Sequence, residues 1–457
     1  MKKISLSCFV AVVALCVFSG CSPKQPEKDY TWLKQGIETA ALQLKFTVAE
    51  IGDSIRLPRS IWTGYDTDFL CHQLDKKQLT GKDSARLKPI HDNLGSRRYC
   101  FSIYDWTSGF FPGNLWLAYQ LTDDESLRES AVKFTNYLYP LREYKGTHDI
   151  GFMMNCSYGN ANRLSPADSV RSALIQTADN LCGRFNPEIG CIRSWNFGKW
   201  NFPVIIDNMM NLDLLFYATR LTGDDKYKEL ALTHARTTMK NHFRDDYSSY
   251  HVVSYNNDGT VEKKCTHQGK SDASSWARGQ AWGLYGYTSC YRESKDVQFL
   301  RQAKNIASLI MRRVKTEDAV PLWDYAAPDT PQTPRDASAA AITASALIEL
   351  SKENSCCRRF DLHGSLVCLD FHEHLTFFYF IANIFKPFND STFFHVHIVL
   401  WHRQFCCHYA SSLLSSYKTS LTAASILAGV GNVSASSVGL NGTGQYKAPT
   451  RLIGASR

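Results

Sequence analysis

The sequence contains no Lys/Arg-rich run of the kind that marks nucleic-acid binders, although its formal net charge is +8. This mild positive balance fits an acidic small molecule at least as well, so we expect no nucleic-acid partner. The seven cysteines between Cys71 and Cys290 include no CxxC pair and no zinc-binding pattern. Because seven is an odd number, a full disulfide framework is disfavoured as well, and we expect buried thiols.

The chain also has no apolar run near its N-terminus that is long enough to cross a membrane. Residues 1–21 instead combine two lysines, a short apolar run and small residues before a cysteine, which is typical of a secretory signal. The ending FSGC is similar to a bacterial lipoprotein box, with Cys21 as the acylated residue, although Phe18 stands where an aliphatic residue is usual. Residues 22–30 follow as a polar tether. We therefore expect export to the bacterial cell envelope, with membrane contact only through a lipid on Cys21; a cleaved signal with an incidental cysteine is the alternative.

Strand signals are weak, and from about residue 113 to 350 the hydrophobic periodicity is helical. Residues 115–135, 214–235 and 284–307 each predict an apolar-faced helix, a polar turn with acidic capping residues, and a second amphipathic helix. Repeated helical hairpins build a solenoid or close into a ring, and the long Trp-, Gly- and Asn-rich linkers favour a ring with a pocket at one end. The sequence therefore predicts an all-α fold, an α/α toroid over residues 31–354.

Residues 355–457 differ from the rest of the chain because they concentrate His, Cys and Phe and carry few charges. A metal-binding appendage would need ligands at regular spacing, and a membrane span is spoiled by polar residues such as His395, His397 and Arg403. We favour a third interpretation, a reading-frame shift or assembly error that leaves an atypical tail.

Four segments carry dense polar and aromatic residues, and they supply the candidate chemistry. They are residues 105–113, 147–152, 204–212, and 248–251 together with 266–283. Asp149 and Asp207 stand in apolar surroundings, and a pair of carboxylates in a low dielectric suits acid/base chemistry on sugars. Arg278 suits an acidic substrate through bidentate pairing. Structural alternatives remain open for several of these residues: a helix cap for Asp105, core packing for Trp106, orientation of a neighbour for His148 and an interior position for His251.

In order and spacing these segments resemble the unsaturated glucuronyl hydrolases, glycoside hydrolase family 88, over roughly residues 95–350. The resemblance implies an (α/α)6 barrel and no metal or organic cofactor. It implies hydrolysis that removes a 4,5-unsaturated uronic acid residue and starts with hydration of its C4=C5 vinyl ether. The substrate would be the non-reducing end of lyase-generated acidic oligosaccharides such as glycosaminoglycan fragments.

The resemblance also carries residue roles over to this chain. Asp207 would be the acid/base that protonates C4 and deprotonates water, and Asp149 would hold substrate hydroxyls and tune its partner. The positions that match the family's substrate-binding residues are Trp106, His148, Trp195, His251, Gln268, Trp276, Arg278 and Trp282. Residues 355–457 do not resemble the family's last helices, so we expect a ring that is incomplete at its C-terminus.

Three other functions remain open at this stage. The nearest is an unsaturated rhamnogalacturonyl hydrolase, which would use the same hydration chemistry on pectin fragments. The others are a lipoprotein that binds glycans without turnover and a damaged remnant whose tail prevents folding.

Overall fold

The structure, a computed structural model, describes residues 31–61, 97–316, 318–331 and 333–354. All of these belong to the first of two units into which the chain divides, residues 1–409 and 410–457. The predicted signal sequence, the tether, Cys21 and the whole tail from residue 355 onwards lie outside the described residues. The expected export signal, lipidation and incomplete ring therefore stay predictions.

The described residues are mostly helical. In chain order the helices are α1 Thr31–Ile51, α2 Phe110–Thr122, α3 Glu125–Tyr137, α4 Ile150–Met154, α5 Asn160–Leu164, α6 Asp168–Cys182, α7 Asn208–Thr222, α8 Lys226–Asn241, α9 Ala277–Ser294, α10 Val297–Arg313 and α11 Ala337–Asn354. A 3₁₀ turn, Tyr139–Glu143, precedes α4, and a π-helical turn, Asn155–Gly159, joins α4 to α5. Among the described residues no helix is both long and apolar enough to cross a membrane.

The three predicted hairpins are confirmed as α2–α3, α7–α8 and α9–α10. In two of the three hairpins an acidic turn residue caps the second helix as expected. Asp124 accepts a hydrogen bond from the Ser126 backbone N–H before α3, and Asp296 accepts one from Gln298 before α10. Each side chain satisfies a helix N–H that has no partner within the helix.

The helices alternate between an inner and an outer position. Helices α2, α7 and α9 are buried over long continuous stretches, as in the run from Asn208 to Phe216. Helices α3, α8 and α10 instead bury one face, as α10 does with Phe299, Ala303, Ile306 and Ile310. Since each inner helix is followed along the chain by an outer one, the architecture is the predicted α/α toroid.

Short strands sit in the long loops, although the sequence shows only weak strand signals. Strand β1 Pro58–Ile61 pairs with β2 Arg97–Tyr99, and β3 Phe185–Asn186 pairs with β4 Cys191–Ile192. Strands β5 Phe202–Ile205, β6 Val252–Tyr255 and β7 Val261–Cys265 form an antiparallel sheet in that order. Each of these strands is at most five residues long, which is too short for an alternation of apolar and polar residues to stand out. In addition, β5 pairs with β6 although the α7–α8 hairpin lies between them in the chain.

A buried ionic cluster joins three inner helices. Arg292 on α9 contacts Asp213 on α7 at 3.0 Å and Glu349 on α11 at 2.9 Å. Asp213 also accepts hydrogen bonds from Ser289, at 2.6 Å, and from Tyr285. Because removing one partner would leave an uncompensated buried charge, the cluster fixes how α7, α9 and α11 pack together.

The six described cysteines are free thiols, as expected. Four of them are buried: Cys156, Cys191, Cys265 and Cys290. Burial raises the pKa of the Cys191 thiol to about 12, so this thiol stays protonated and packs as a small apolar group.

Candidate active site

A cavity of about 510 Å³ lies where the inner helices begin. Asp149, Asp207 and Trp276 each line it, and each is the residue directly before a helix: α4, α7 and α9. The N-terminal ends of α7 and α9 therefore point their unpaired N–H groups and positive dipole ends toward this space. Such a setting favours a ligand with negative charge.

The cavity collects eight of the ten predicted site residues. Those that line it are Trp106, Asp149, Trp195, Asp207, Gln268, Trp276, Arg278 and Trp282. His148 and His251 lie behind the wall, with relative exposures of 0% and 3%. This geometry does not support direct contact of either imidazole with a substrate. The positions fit the structural alternatives instead: His148 lies beside its neighbour Asp149, and His251 is an interior residue.

Asp207 is a buried carboxylate that caps nothing. It precedes α7 but its side chain makes no capping hydrogen bond, and its Oδ2 has no hydrogen-bond partner among the described residues. Burial, aided by the negative charge of Asp149, raises its pKa to about 7, against the opposing effect of the Arg278 charge. Asp207 is therefore substantially protonated at neutral pH, which a proton donor requires.

His251 faces Asp207 in a defined tautomer. Its Nδ1 accepts hydrogen bonds from the backbone N–H groups of His267, at 3.0 Å, and Gln268, at 3.1 Å. Burial lowers the pKa of His251 well below its ordinary value, so the ring is neutral and carries its proton on Nε2. That Nε2 lies 3.6 Å from Asp207 Oδ2, which is longer than a hydrogen bond, and neither atom has a hydrogen-bond partner among the described residues.

The strand pairing of β5 with β6 creates this contact. Ile205 pairs with Val252, and the Ile206 N–H donates to the His251 carbonyl at 3.0 Å. Asp207 and His251 thus leave the sheet side by side, at the point where β5 gives way to α7. The loop before β6 is held in turn by Gln280 of α9, whose Oε1 accepts from the Ser249 N–H at 2.8 Å.

Asp149 is less buried than its apolar sequence neighbours predict. Its side chain is 18% exposed, its Oδ2 accepts a hydrogen bond from Thr147 Oγ1 at 3.1 Å, and its Oδ1 lies 3.1 Å from His148 Nε2. Burial lowers the pKa of His148, so this ring is neutral, and its Nε2 makes no aligned hydrogen bond among the described residues. The two preceding residues therefore both lie against the Asp149 carboxylate.

Asn211 ties the segment of Asp149 to α7. Its Oδ1 accepts from the Phe152 N–H at 2.9 Å, and its Nδ2 lies 3.3 Å from His148 Nδ1. A Cβ at Gly151 would lie 2.7 Å from the side chain of Asn211, so the absence of a side chain at Gly151 permits this close approach. The sequence marks Asn211 only as a polar residue in an apolar run.

An aromatic wall forms one side of the cavity. Trp195 stacks on Phe197, with ring centroids 5.0 Å apart, and meets His267 edge-on at 5.1 Å. Gly198, with φ of +88°, turns the chain so that Trp200 returns to pack on Trp195 at 5.5 Å. Phe197 keeps 58% of its surface exposed at the cavity, which suits stacking against a sugar ring.

Arg278 is a cation at the cavity with one partial counter-ion. Its Nη1 donates to Ser338 Oγ at 3.1 Å and lies 3.6 Å from Asp336 Oδ2. The guanidinium also sits 4.6 Å from the centroid of the Trp276 ring. Because the Asp336 contact is longer than a hydrogen bond, Arg278 retains donors for a carboxylate in the cavity.

Sequence reasoning missed several residues that line the cavity or support it. Those that line it include Tyr104, Tyr144, Phe197 and His267. His267 lies in the segment 266–283 and Phe197 in the Trp-rich linker 191–203, so their position was a usable signal, whereas nothing in the sequence linked Asp336 to Arg278. Asp105 lines the cavity too; it accepts the Thr107 N–H at 3.0 Å and pairs with Arg59, so the loop-anchor interpretation of Asp105 fits.

Among the described residues no group of three or more His, Cys, Asp or Glu side chains is arranged to hold a metal ion. The titratable groups that face the cavity are the two aspartates, Asp105, His267 and Arg278, together with two tyrosines. This set can transfer a proton at Asp207 and bind an anion at Arg278.

The sequence of this chain is similar to those of known proteins. A family model described as a domain of unknown function matches residues 1–76. The chain is 47% identical over 251 residues to an unsaturated glucuronyl hydrolase from Formosa agariphila, covering 54% of this chain and 63% of the relative. It is 36% identical over 275 residues to an unsaturated glucuronyl hydrolase from Bacillus sp. GL1, covering 58% of this chain and 72% of the relative.

A solved structure shares the fold over a larger part of the chain. The crystal structure of an unsaturated glucuronyl hydrolase specific for heparin matches with a TM-score of 0.67 and 35% identity, covering 82% of this chain and 98% of that chain. In sequence, however, the chain spans less than two thirds of the length of the Formosa relative.

Proposed function

This chain belongs to the unsaturated glucuronyl hydrolase family, and we propose that it removes a 4,5-unsaturated uronic acid from the non-reducing end of acidic oligosaccharides. One observation carries the proposal: Asp207, with a pKa raised to about 7, faces the same cavity as Asp149 and Arg278. A neutral carboxylic acid, a second carboxylate and a cation are the groups that protonation of an anionic vinyl ether needs.

The proposed reaction begins with proton transfer from Asp207 to C4 of the unsaturated ring. Positive charge then develops at C5 and the ring oxygen, and a water molecule adds to C5 as Asp207 takes back a proton. The C5 hemiketal opens to a ketone, which leaves a hemiacetal at C1. Collapse of that hemiacetal releases the next sugar as an alcohol, so the net reaction consumes one water.

The surrounding groups would hold the substrate for this step. Asp149, which accepts a hydrogen bond from Thr147, is placed to accept others from ring hydroxyls. Arg278 and the N-terminal ends of α7 and α9 favour the uronate carboxylate. Trp195 and Phe197 offer an aromatic surface for a sugar face.

The pH dependence of turnover tests the proposal directly. With an unsaturated glycosaminoglycan disaccharide we expect the ultraviolet absorbance of the double bond to disappear. We expect kcat/KM to fall as the pH rises above about 7, because the neutral form of Asp207 is lost as the pH passes its raised pKa. Absence of turnover at every pH would reject the function, and a rate constant that stays level well above pH 7 would reject Asp207 as the acid.

The same assay separates the competing functions. Loss of absorbance only with pectin-derived disaccharides would indicate a rhamnogalacturonyl hydrolase, but the two relatives named unsaturated glucuronyl hydrolases favour the glucuronyl substrate. Binding without loss would indicate a glycan-binding protein, and insoluble protein would indicate a remnant.

We further propose that the protein is exported and lipid-anchored at Cys21. The support is the signal-like pattern of residues 1–21, which lie outside the described residues. In a bacterial host grown with a labelled fatty acid, the wild-type chain should acquire the label and Cys21→Ser should not. Equal labelling of both chains, or of neither, would contradict lipidation at this residue.

A further inference from the structure

We propose that Arg184 is a positioning residue that holds the segment carrying Asp149 against the segment carrying Trp195. The inference rests on the proposed function, in which both residues face the substrate. Arg184 follows the C-terminal end of α6 and does not line the cavity that holds the two aspartates. It therefore acts through its neighbours and does not touch the reacting atoms.

The guanidinium joins two loops that are distant in sequence. Its Nη1 donates to the Lys145 carbonyl at 2.5 Å, two residues before Thr147. Its Nη2 donates to the Ser194 carbonyl and to Asn196 Oδ1, both at 3.1 Å, on either side of Trp195. Its Nε donates to the Arg193 carbonyl at 2.8 Å.

The Ser194 carbonyl connects this fork to the predicted catalytic carboxylate. The Ser194 carbonyl accepts a second hydrogen bond, from the His148 N–H at 3.2 Å. His148 is directly followed in the chain by Asp149. Arg184 and the backbone of His148 therefore meet on one oxygen atom. A shift of that carbonyl would move Asp149 and Trp195 together.

Arg184 makes these bonds without a counter-ion. No carboxylate among the described residues lies within ion-pair distance of its guanidinium, and all four hydrogen-bond acceptors are neutral. Burial and the neighbouring positive charge of Arg193 lower its pKa to about 10, against the opposing effect of the more distant Asp149 charge. Burying a guanidinium without an ion pair is unfavourable, so the presence of arginine here needs a reason. The reason is the planar guanidinium, whose donors reach both loops at once; a lysine cannot reproduce this arrangement.

The decisive variant is Arg184→Lys, which keeps the charge and loses the fork. We expect kcat on an unsaturated disaccharide to fall by about 10–100-fold and KM to rise, because both the carboxylate and the sugar platform lose their alignment. The alkaline limb of kcat/KM should also move to lower pH. The reason is that the Asp149 charge helps to raise the pKa of Asp207, and this effect weakens if Asp149 moves away.

Arg236→Lys is the matched control, since it makes the same substitution at an exposed arginine of α8 that does not line the cavity and contacts Asp296 at 3.4 Å. We expect its kcat to stay within about twofold of wild type, as for surface changes. Asn196→Ala, at an exposed position, removes one acceptor and should lower kcat by about 2–5-fold; it decides the question if Arg184→Lys does not fold.

Wild-type kcat and an unmoved pH profile in Arg184→Lys would overturn the role of Arg184 while leaving the proposed function intact. An equal loss in Arg236→Lys would show that the effect is not specific to Arg184 and would overturn its role too. If the wild-type chain itself turns over no unsaturated disaccharide, the proposed function fails, and the role of Arg184 fails with it.

Discussion

Asp207→Asn is expected to lower turnover of an unsaturated disaccharide by roughly 10³-fold or more while the helical circular dichroism stays unchanged. The amide has nearly the shape of the carboxyl but cannot give up a proton to C4. Since the side chain caps nothing and its Oδ2 has no hydrogen-bond partner among the described residues, the local fold does not depend on its charge. Retained activity would reject Asp207 as the acid.

The same substitution is expected to stabilise the protein at alkaline pH. The folded-state pKa of Asp207 is raised from 3.8 to about 7, so between these values the folded state binds more protons than the unfolded state. The wild-type free energy of unfolding therefore falls as the pH rises through this window, and the cost is complete above about pH 7. Removing the ionisable group should gain on the order of 2–4 kcal/mol at pH 8 and little at pH 4.

Asp225→Asn is a matched control for both measurements. Asp225 stands directly before α8 as Asp207 stands before α7, its side chain also makes no capping bond, and it is exposed. It should retain wild-type turnover and show no comparable gain in stability at pH 8. Unfolding by denaturant at the two pH values checks the linkage, and a stability gain in Asp207→Asn that does not depend on pH would contradict it.

Asp149→Asn is expected to lower kcat by roughly 10²-fold or more, and by a different route. The variant loses a charged acceptor for substrate hydroxyls, and it loses the negative charge that helps to raise the pKa of Asp207. The alkaline limb of kcat/KM should therefore move to lower pH. The movement should be partial, because burial remains the main cause of the raised pKa.

A matched control for this variant is Asp258→Asn, at the exposed turn between β6 and β7. It should change neither kcat nor the position of the alkaline limb. If Asp149→Asn lowers only the melting temperature and leaves the rate constants unchanged, Asp149 has a structural role and the proposed division of work between the two aspartates is wrong. If kcat falls but the alkaline limb of kcat/KM does not move, Asp149 holds the substrate but does not influence the pKa of Asp207.

The outline of the fold could be read from the sequence because helical hairpins are local. Residues 115–135 already contain most of α2, the Asp124 cap and most of α3, and each is recognised from spacings of three to four residues. Eight of the ten predicted site residues also line one cavity, because the motifs stand next to the starts of inner helices. The short strands were missed since their pairing joins segments far apart in the chain.

The chemistry of individual residues depends on contacts that no local pattern contains. The sequence places His148 and His251 in motifs, but only the packing shows that both are fully enclosed and that each faces an aspartate. Asp149 stands in an apolar stretch of sequence, yet its side chain is 18% exposed and lies beside Thr147 and His148. Arg184 carries no motif at all, and its importance comes from four acceptors on two loops.

The sequence by itself determined the helical hairpins, the aromatic loops and the two aspartates, because periodicity, capping and residue type act over a few neighbouring positions. Only the tertiary structure showed that the pKa of Asp207 is raised to about 7. That outcome depends on how much water is excluded around each carboxyl and on which charges lie nearby. Both are set where β5 meets β6 and where the inner helices converge, between residues far apart in the chain.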